Sequence, residues 1–172
     1  LSSSSAASDV YKRQASPHRF FIHAEDKAEI EANQHKFPAP RDPTFHNLIR
    51  TPRSATIVIE RVLELARQTG ARLHICHLSS TDELELVRQA KAKGLPVTCE
   101  VTPHHLFLEE EALARLGNYA KMNPPIRSQK HLDALWQGLV VGDIDLVATD
   151  HAPHTRAKKD LPYDQAPAGV AG

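Results

Sequence analysis

Neither sign of charge is in excess in this 172-residue sequence: 21 Lys and Arg stand against 21 Asp and Glu. A surface built to hold a polyanion needs a basic surplus, so nucleic acid is not an expected partner. Long apolar runs are missing too. None reaches the ~20 residues of a membrane span, so no membrane partner is expected either. The N-terminus lacks the apolar segment of a signal peptide. Cysteine is scarce: Cys76 and Cys99 both sit inside apolar, strand-like runs, which suits a reduced, cytosolic protein better than a disulfide scaffold. At this length one domain, or part of one, is expected.

The ends stand apart from the rest. The first residue is Leu, and "LSSSSAASDVYKRQ" (Leu1–Gln14) is Ser/Ala-rich without periodicity. It reads as a non-native remnant of translated adapter sequence, which leaves 15–172 as the domain. At the other end "APAGVAG" closes the chain with no helix after the last expected strand. The sequence therefore reads as an internal piece of a longer protein.

Between those ends, strand and helix patterns alternate. "HRFFIHAED" is a compact apolar run closed by His23, Glu25 and Asp26. A Pro-rich loop is expected next, then a helix over "PRSATIVIERVLELARQTG", with Ile59, Val62, Leu63 and Ala66 at helical spacing and a stop at Gly70. "ARLHICHLSS" is a second strand, closed by His77. "SSTDELELVRQAKAKG" opens with Ser80 three residues before Glu83, a capping-box pattern, and ends at Gly94. "LPVTCEVTPHHL" is a third strand, broken at Pro103. A polar helix near "EEEALARLG", a loop "NYAKMNPPIRS", a helix in "SQKHLDALWQGLVVG" and a fourth strand in "DIDLVATD" complete the series. Such alternation with short turns predicts βα units on a parallel sheet.

Histidine is what the sequence has in plenty, with 11 residues. Three of the four expected strands end in a potential ligand, His23, His77 and Asp150, and the third ends in His104 and His105. In a (β/α)8 barrel the site is assembled at the C-terminal ends of the strands. Imidazole and carboxylate gathered there suit Zn²⁺ or a similar first-row ion. A lone histidine at a strand end is ordinarily a surface residue; several arriving at one sheet edge point to a shared site. His104, His105 and His151 read as supporting or packing residues, and His74 as facing a helix. Glu109–Glu111 reads as a solvated helix start that suits the dipole.

The order "HAED", "HICHLSS", "EVTPHHL", "KMNPPIR", "ATDHAPHT", "APAGVAG" resembles the second half of a dihydroorotase, a cyclic-amide hydrolase of the amidohydrolase superfamily. The resemblance runs from about Pro17 to Gly172. It implies an α/β fold, about strands five to eight of a metal-dependent TIM barrel, and reversible hydrolysis of dihydroorotate to N-carbamoyl-aspartate in pyrimidine synthesis. It implies His23 and His77 as metal ligands, and Asp150 as the aspartate that touches metal and shuttles the proton. Asn123 and His154 would contact substrate, and the backbone around Ala168 and Gly169 would close over the ring and its carboxylate. One or two Zn²⁺ ions, a homodimer and an association with aspartate transcarbamoylase are the cofactor and partners it admits.

The chemistry agrees with these roles. Opening a cyclic amide needs an activated water and a polarised carbonyl, both within a metal's repertoire. It also needs a group to move a proton to the departing nitrogen, which a carboxylate such as Asp150 can do. Two alternatives stay open: an allantoinase or hydantoinase, and a non-catalytic dihydroorotase-like scaffold. The family's HxH pair, its arginine for the substrate carboxylate and its bridging Lys or Asp are not found in this sequence. A half-barrel also has two open sheet edges. Expressed alone, the chain is expected to aggregate or pair, and to be inactive.

Overall fold

A computed structural model describes residues 18–172; the Ser/Ala-rich start Leu1–Gln14 lies outside the described residues. Strands β1 (Arg19–Ile22), β2 (Arg72–Ile75), β3 (Val97–Val101) and β4 (Leu146–Val147) form one sheet in that order, every neighbouring pair parallel. Parallel neighbours need crossover connections, and helices supply them. Between β1 and β2 lie α1 (Lys27–His35), α2 (His46–Ile49) and α3 (Pro52–Thr69). Helix α4 (Thr81–Ala92) joins β2 to β3, and α5 (Pro103–Phe107), α6 (Glu111–Leu116) and α7 (Gln129–Val140) lead to β4. A short α8 (Arg156–Lys159) follows.

The expected long helices form for the expected reasons. On α3 Pro52 occupies the first turn, and the buried face runs Ala55, Val58, Ile59, Val62, Leu63, Ala66. Gly70 ends it with φ at 71°, a left-handed conformation that glycine adopts without penalty. The Ser80 side chain accepts from the Glu83 N–H at the start of α4. Ile59, Leu73, Ile75 and Leu84 are fully buried between the sheet and these helices. Each contributes about 1.5–3 kcal/mol by leaving water.

Four expectations need correction. The stretch read as a Pro-rich loop after Asp26 holds α1 and α2. Helix α1 buries only Asn33, so it shows no apolar stripe; it starts because Asp26 Oδ1 accepts from Glu29 N–H at 2.9 Å. His104 and His105 do not end the third strand but sit, buried, on α5, which Thr102 caps. The fourth strand, expected over "DIDLVATD", is only two residues long, and Leu146 and Val147 are exposed. His74 does not face a helix. Leu73 and Ile75 take the helix side, and alternation turns His74 to the other face with Phe21 and Thr98, its register partners. On that face Phe21 is 68% exposed.

Candidate active site

All four strands run the same way, so their C-terminal ends share one edge of the sheet. The ladder continues past the strands through Cys76 N–H to Ile22 O (3.0 Å), Leu78 N–H to Glu100 O (2.8 Å) and Ala148 N–H to Val101 O (3.0 Å). His23, His77 and Asp150 are therefore carried on anchored backbone. The structure brings His23 and His77 together: His23 Nδ1 lies 2.8 Å from His77 Nε2, with the rings edge to face. Asp150 is near enough for its charge to act on His77 and His104. Burial and the neighbouring His23 hold the His77 imidazole below its ordinary range, with Asp150 opposing them.

Backbone geometry singles out two of these three residues. Among the described residues, His77 (φ 39°) and Asp150 (φ 45°) are the non-glycine residues with positive φ. Such a conformation costs about 1–3 kcal/mol and persists where the surroundings over-determine it, often at functional sites.

The residues fit a metal ion. Two imidazole nitrogens converge, the Asp150 charge acts on one of the rings, and His104 adds a buried Nδ1 with no partner; among the described residues these groups do not form a trio with all donor atoms within 4.8 Å. Burial pushes His104 down to about 4, so its ring is neutral at pH 7. A separate trio, His74, Cys76 and Glu100, has donor atoms within 4.8 Å of one another. Its histidine is already satisfied, with Nδ1 at 2.8 Å from Thr98 Oγ1 and Nε2 at 2.9 Å from Glu100 Oε2. Burial pushes the Cys76 thiol up to about 11. Within that trio, His74 and Glu100 are hydrogen-bonded to each other.

The residues expected to touch substrate fall beside one another. Asn123 and Ala168 line a cavity of about 270 Å³ together with Arg50, Lys121 and Tyr163. Asn123 Oδ1 is buried without a partner. His154 and Gly169 line a second cavity of about 360 Å³, together with His104. The two walls meet at Ala168, whose carbonyl accepts from His154 Nε2 at 3.0 Å. Gly169 donates to Lys121 O at 2.9 Å with φ at 134°, and Ala152 N–H donates to Val170 O at 2.9 Å.

Sequence reasoning missed what holds this loop. Two buried lysines pin it by their ammonium groups. Lys121 Nζ donates to Tyr163 O (2.7 Å) and Ala166 O (2.6 Å). Lys159 Nζ donates to Asn118 O (2.9 Å), Lys121 O (3.2 Å) and Pro167 O (3.1 Å). Burial, and then the neighbouring Lys159, pull Lys121 down to about 8. Also missed was Glu25, two residues after His23 in "HAED", which approaches the far side of the His23 ring.

No family model matches the chain. Its sequence is 49% identical over 119 residues to the dihydroorotase of Latilactobacillus sakei subsp. sakei (strain 23K), covering 69% of this chain and 28% of that protein. It is 43% identical over 150 residues to the dihydroorotase of Deinococcus radiodurans, covering 87% and 36%. The chain thus spans about a third of the length of the curated relatives it matches. Among solved structures, a D-hydantoinase (dihydropyrimidinase) from Thermus sp. superposes with a TM-score of 0.91 at 23% identity, over 99% of this chain and 39% of that one. An L-hydantoinase (dihydropyrimidinase) from Arthrobacter aurescens gives 0.89 at 29% identity, over 99% and 39%. By sequence the chain is a homologue of the dihydroorotases over the part of them that it spans, and by fold its parallel sheet is part of an amidohydrolase TIM barrel.

Proposed function

We propose that the protein carrying this chain is a dihydroorotase, which opens dihydroorotate to N-carbamoyl-aspartate and closes it in reverse, in cytosolic pyrimidine synthesis. The observation that carries the proposal is the convergent His23–His77 pair in a chain 43% to 49% identical to dihydroorotases. His23, His77 and Asp150 would hold Zn²⁺, as one ion or two in the whole protein. When bound, such an ion supplies Lewis acidity toward a water and a carbonyl.

The chain's own residues do the rest. Asp150 accepts a proton from the attacking water and delivers it to the ring nitrogen as the C–N bond breaks and the C–O bond forms. In ring closure the same carboxylate returns the proton to the departing water. Asn123 offers a buried, unpaired carbonyl oxygen to a substrate N–H. Ala168 and Gly169 shape the loop over the ring, and His154 steadies that loop through Ala168 O and contacts substrate at the edge. A homodimer and an aspartate transcarbamoylase complex belong to the same proposal as partners of the whole protein.

The hydantoinase fold neighbours support a second reading, hydrolysis of hydantoins, at 23% and 29% identity in the two cases above. Turnover of dihydroorotate, hydantoin and allantoin by the intact protein decides between them. Dihydroorotate should be turned over fastest. Much faster turnover of a hydantoin or allantoin would retain the superfamily and reject the substrate.

A further inference from the structure

The His23 ring has a second partner. While Nδ1 faces His77, Nε2 lies 3.0 Å from Glu25 Oε2. The Glu25 side chain is only 4% exposed, and Arg50 Nη1 donates to the same carboxylate oxygen. A guanidinium only donates, so the oxygen that it shares with the imidazole is an acceptor, and the proton of the His23 contact is carried on His23 Nε2. The nitrogen left with a free lone pair is Nδ1, the one aimed at His77.

Arg50 is itself held in place. Its carbonyl accepts from Arg127 Nη1 at 2.6 Å, and Arg127 is buried. Its side chain also lines the cavity that Asn123 and Ala168 line. One guanidinium therefore connects the wall of that cavity to the carboxylate behind His23.

We propose that Glu25 is a positioning residue that fixes the tautomer and orientation of His23, and that Arg50 holds Glu25 in that role from the cavity wall. This rests on the metal-site reading above and adds residues to it. Partners behind a metal-binding histidine commonly govern about 10–100-fold in metal affinity.

The test uses the intact protein and two readouts other than turnover. Zinc affinity is measured by competition with a chromophoric chelator for the wild type, Glu25→Gln, Arg50→Met and His23→Ala. Nitrogen-15 NMR of labelled histidine reports the tautomer of His23 in the metal-free wild type. Glu25→Gln should weaken zinc binding by about 10–100-fold and bring a second His23 tautomer into view, with thermal unfolding close to wild type. Arg50→Met should weaken zinc in the same direction. Loss of zinc in His23→Ala with wild-type affinity in Glu25→Gln overturns the role of Glu25 and leaves the metal reading standing. Wild-type affinity in Arg50→Met removes Arg50, and wild-type affinity in His23→Ala overturns the metal reading itself. Should Glu25→Gln fail to fold, the wild-type spectrum decides, because a proton on His23 Nδ1 contradicts the proposal.

Discussion

Replacing Gly169 by Ala perturbs the proposed substrate loop by a single methyl group. The backbone there has φ at 134°, a region that side chains rarely adopt, and a Cβ would stand 2.5 Å from Ala152 O and 3.0 Å from His154 Nε2. Neither neighbour can yield cheaply. Ala152 is two residues from Asp150 and its N–H is bonded to Val170 O at 2.9 Å, and His154 is bonded to Ala168 O at 3.0 Å. Backbone strain of this kind costs about 1–3 kcal/mol, and relieving the clash by giving up one hydrogen bond costs about 1 kcal/mol more. Of the resulting ~2–4 kcal/mol, 2 kcal/mol spent at a binding surface corresponds to a factor of roughly 30 in affinity. The expected outcome for the intact enzyme is a KM for dihydroorotate raised by at least about tenfold, with faster amide exchange confined to 166–171. A Gly169→Ala variant with wild-type KM and wild-type exchange would refute the idea that this loop packs against His154 and shapes the site.

Other perturbations follow from the same geometry. Asp150→Asn should fold normally, since Asn also tolerates the left-handed backbone at φ 45°, but kcat should fall by about 10²–10⁴-fold; a loss below tenfold would remove Asp150 from proton transfer. His154→Ala should chiefly raise KM, and an unchanged KM with a collapsed kcat would move His154 into the chemistry. Stability should fall on acidification through His46, whose burial lowers it to about 4 while its nitrogens bond Tyr163 Oη and Met122 O. Because the folded value lies below the unfolded one, His46 contributes fully above about pH 6.5, and the contribution is lost as pH falls toward 4, by up to about 3 kcal/mol. Urea unfolding at pH 7 and pH 5 should show a steeper loss for wild type than for His46→Gln, and equal slopes would contradict the assignment.

How much of this was legible from residues depends on what each feature leaves in a sequence. The sheet was legible because apolar runs and helical spacing alternate, and α4 because Ser80 precedes Glu83 by three residues. The pairing of His23 with His77 was legible because parallel strands deliver their ends to one edge. Helix α1 was hidden: with only Asn33 buried it has no apolar period to detect, and its start signal, Asp26, lay among residues read as a strand end. The placement of His74 was within reach, since Leu73 and Ile75 already claimed the helix side. The pins Lys121 and Lys159 were not within reach. A lysine whose ammonium bonds backbone carbonyls looks, in a sequence, like any surface lysine. Glu25 and Arg50 were hidden for the same reason, because 25 positions separate a carboxylate from the guanidinium that holds it.

The dependence of dihydroorotate turnover on metal tests the central claim most directly. The intact protein, stripped with a strong chelator and dialysed, should lose all turnover, and added Zn²⁺ should restore it, while His23→Ala and His77→Ala should resist restoration. Full activity after rigorous metal removal would contradict the account.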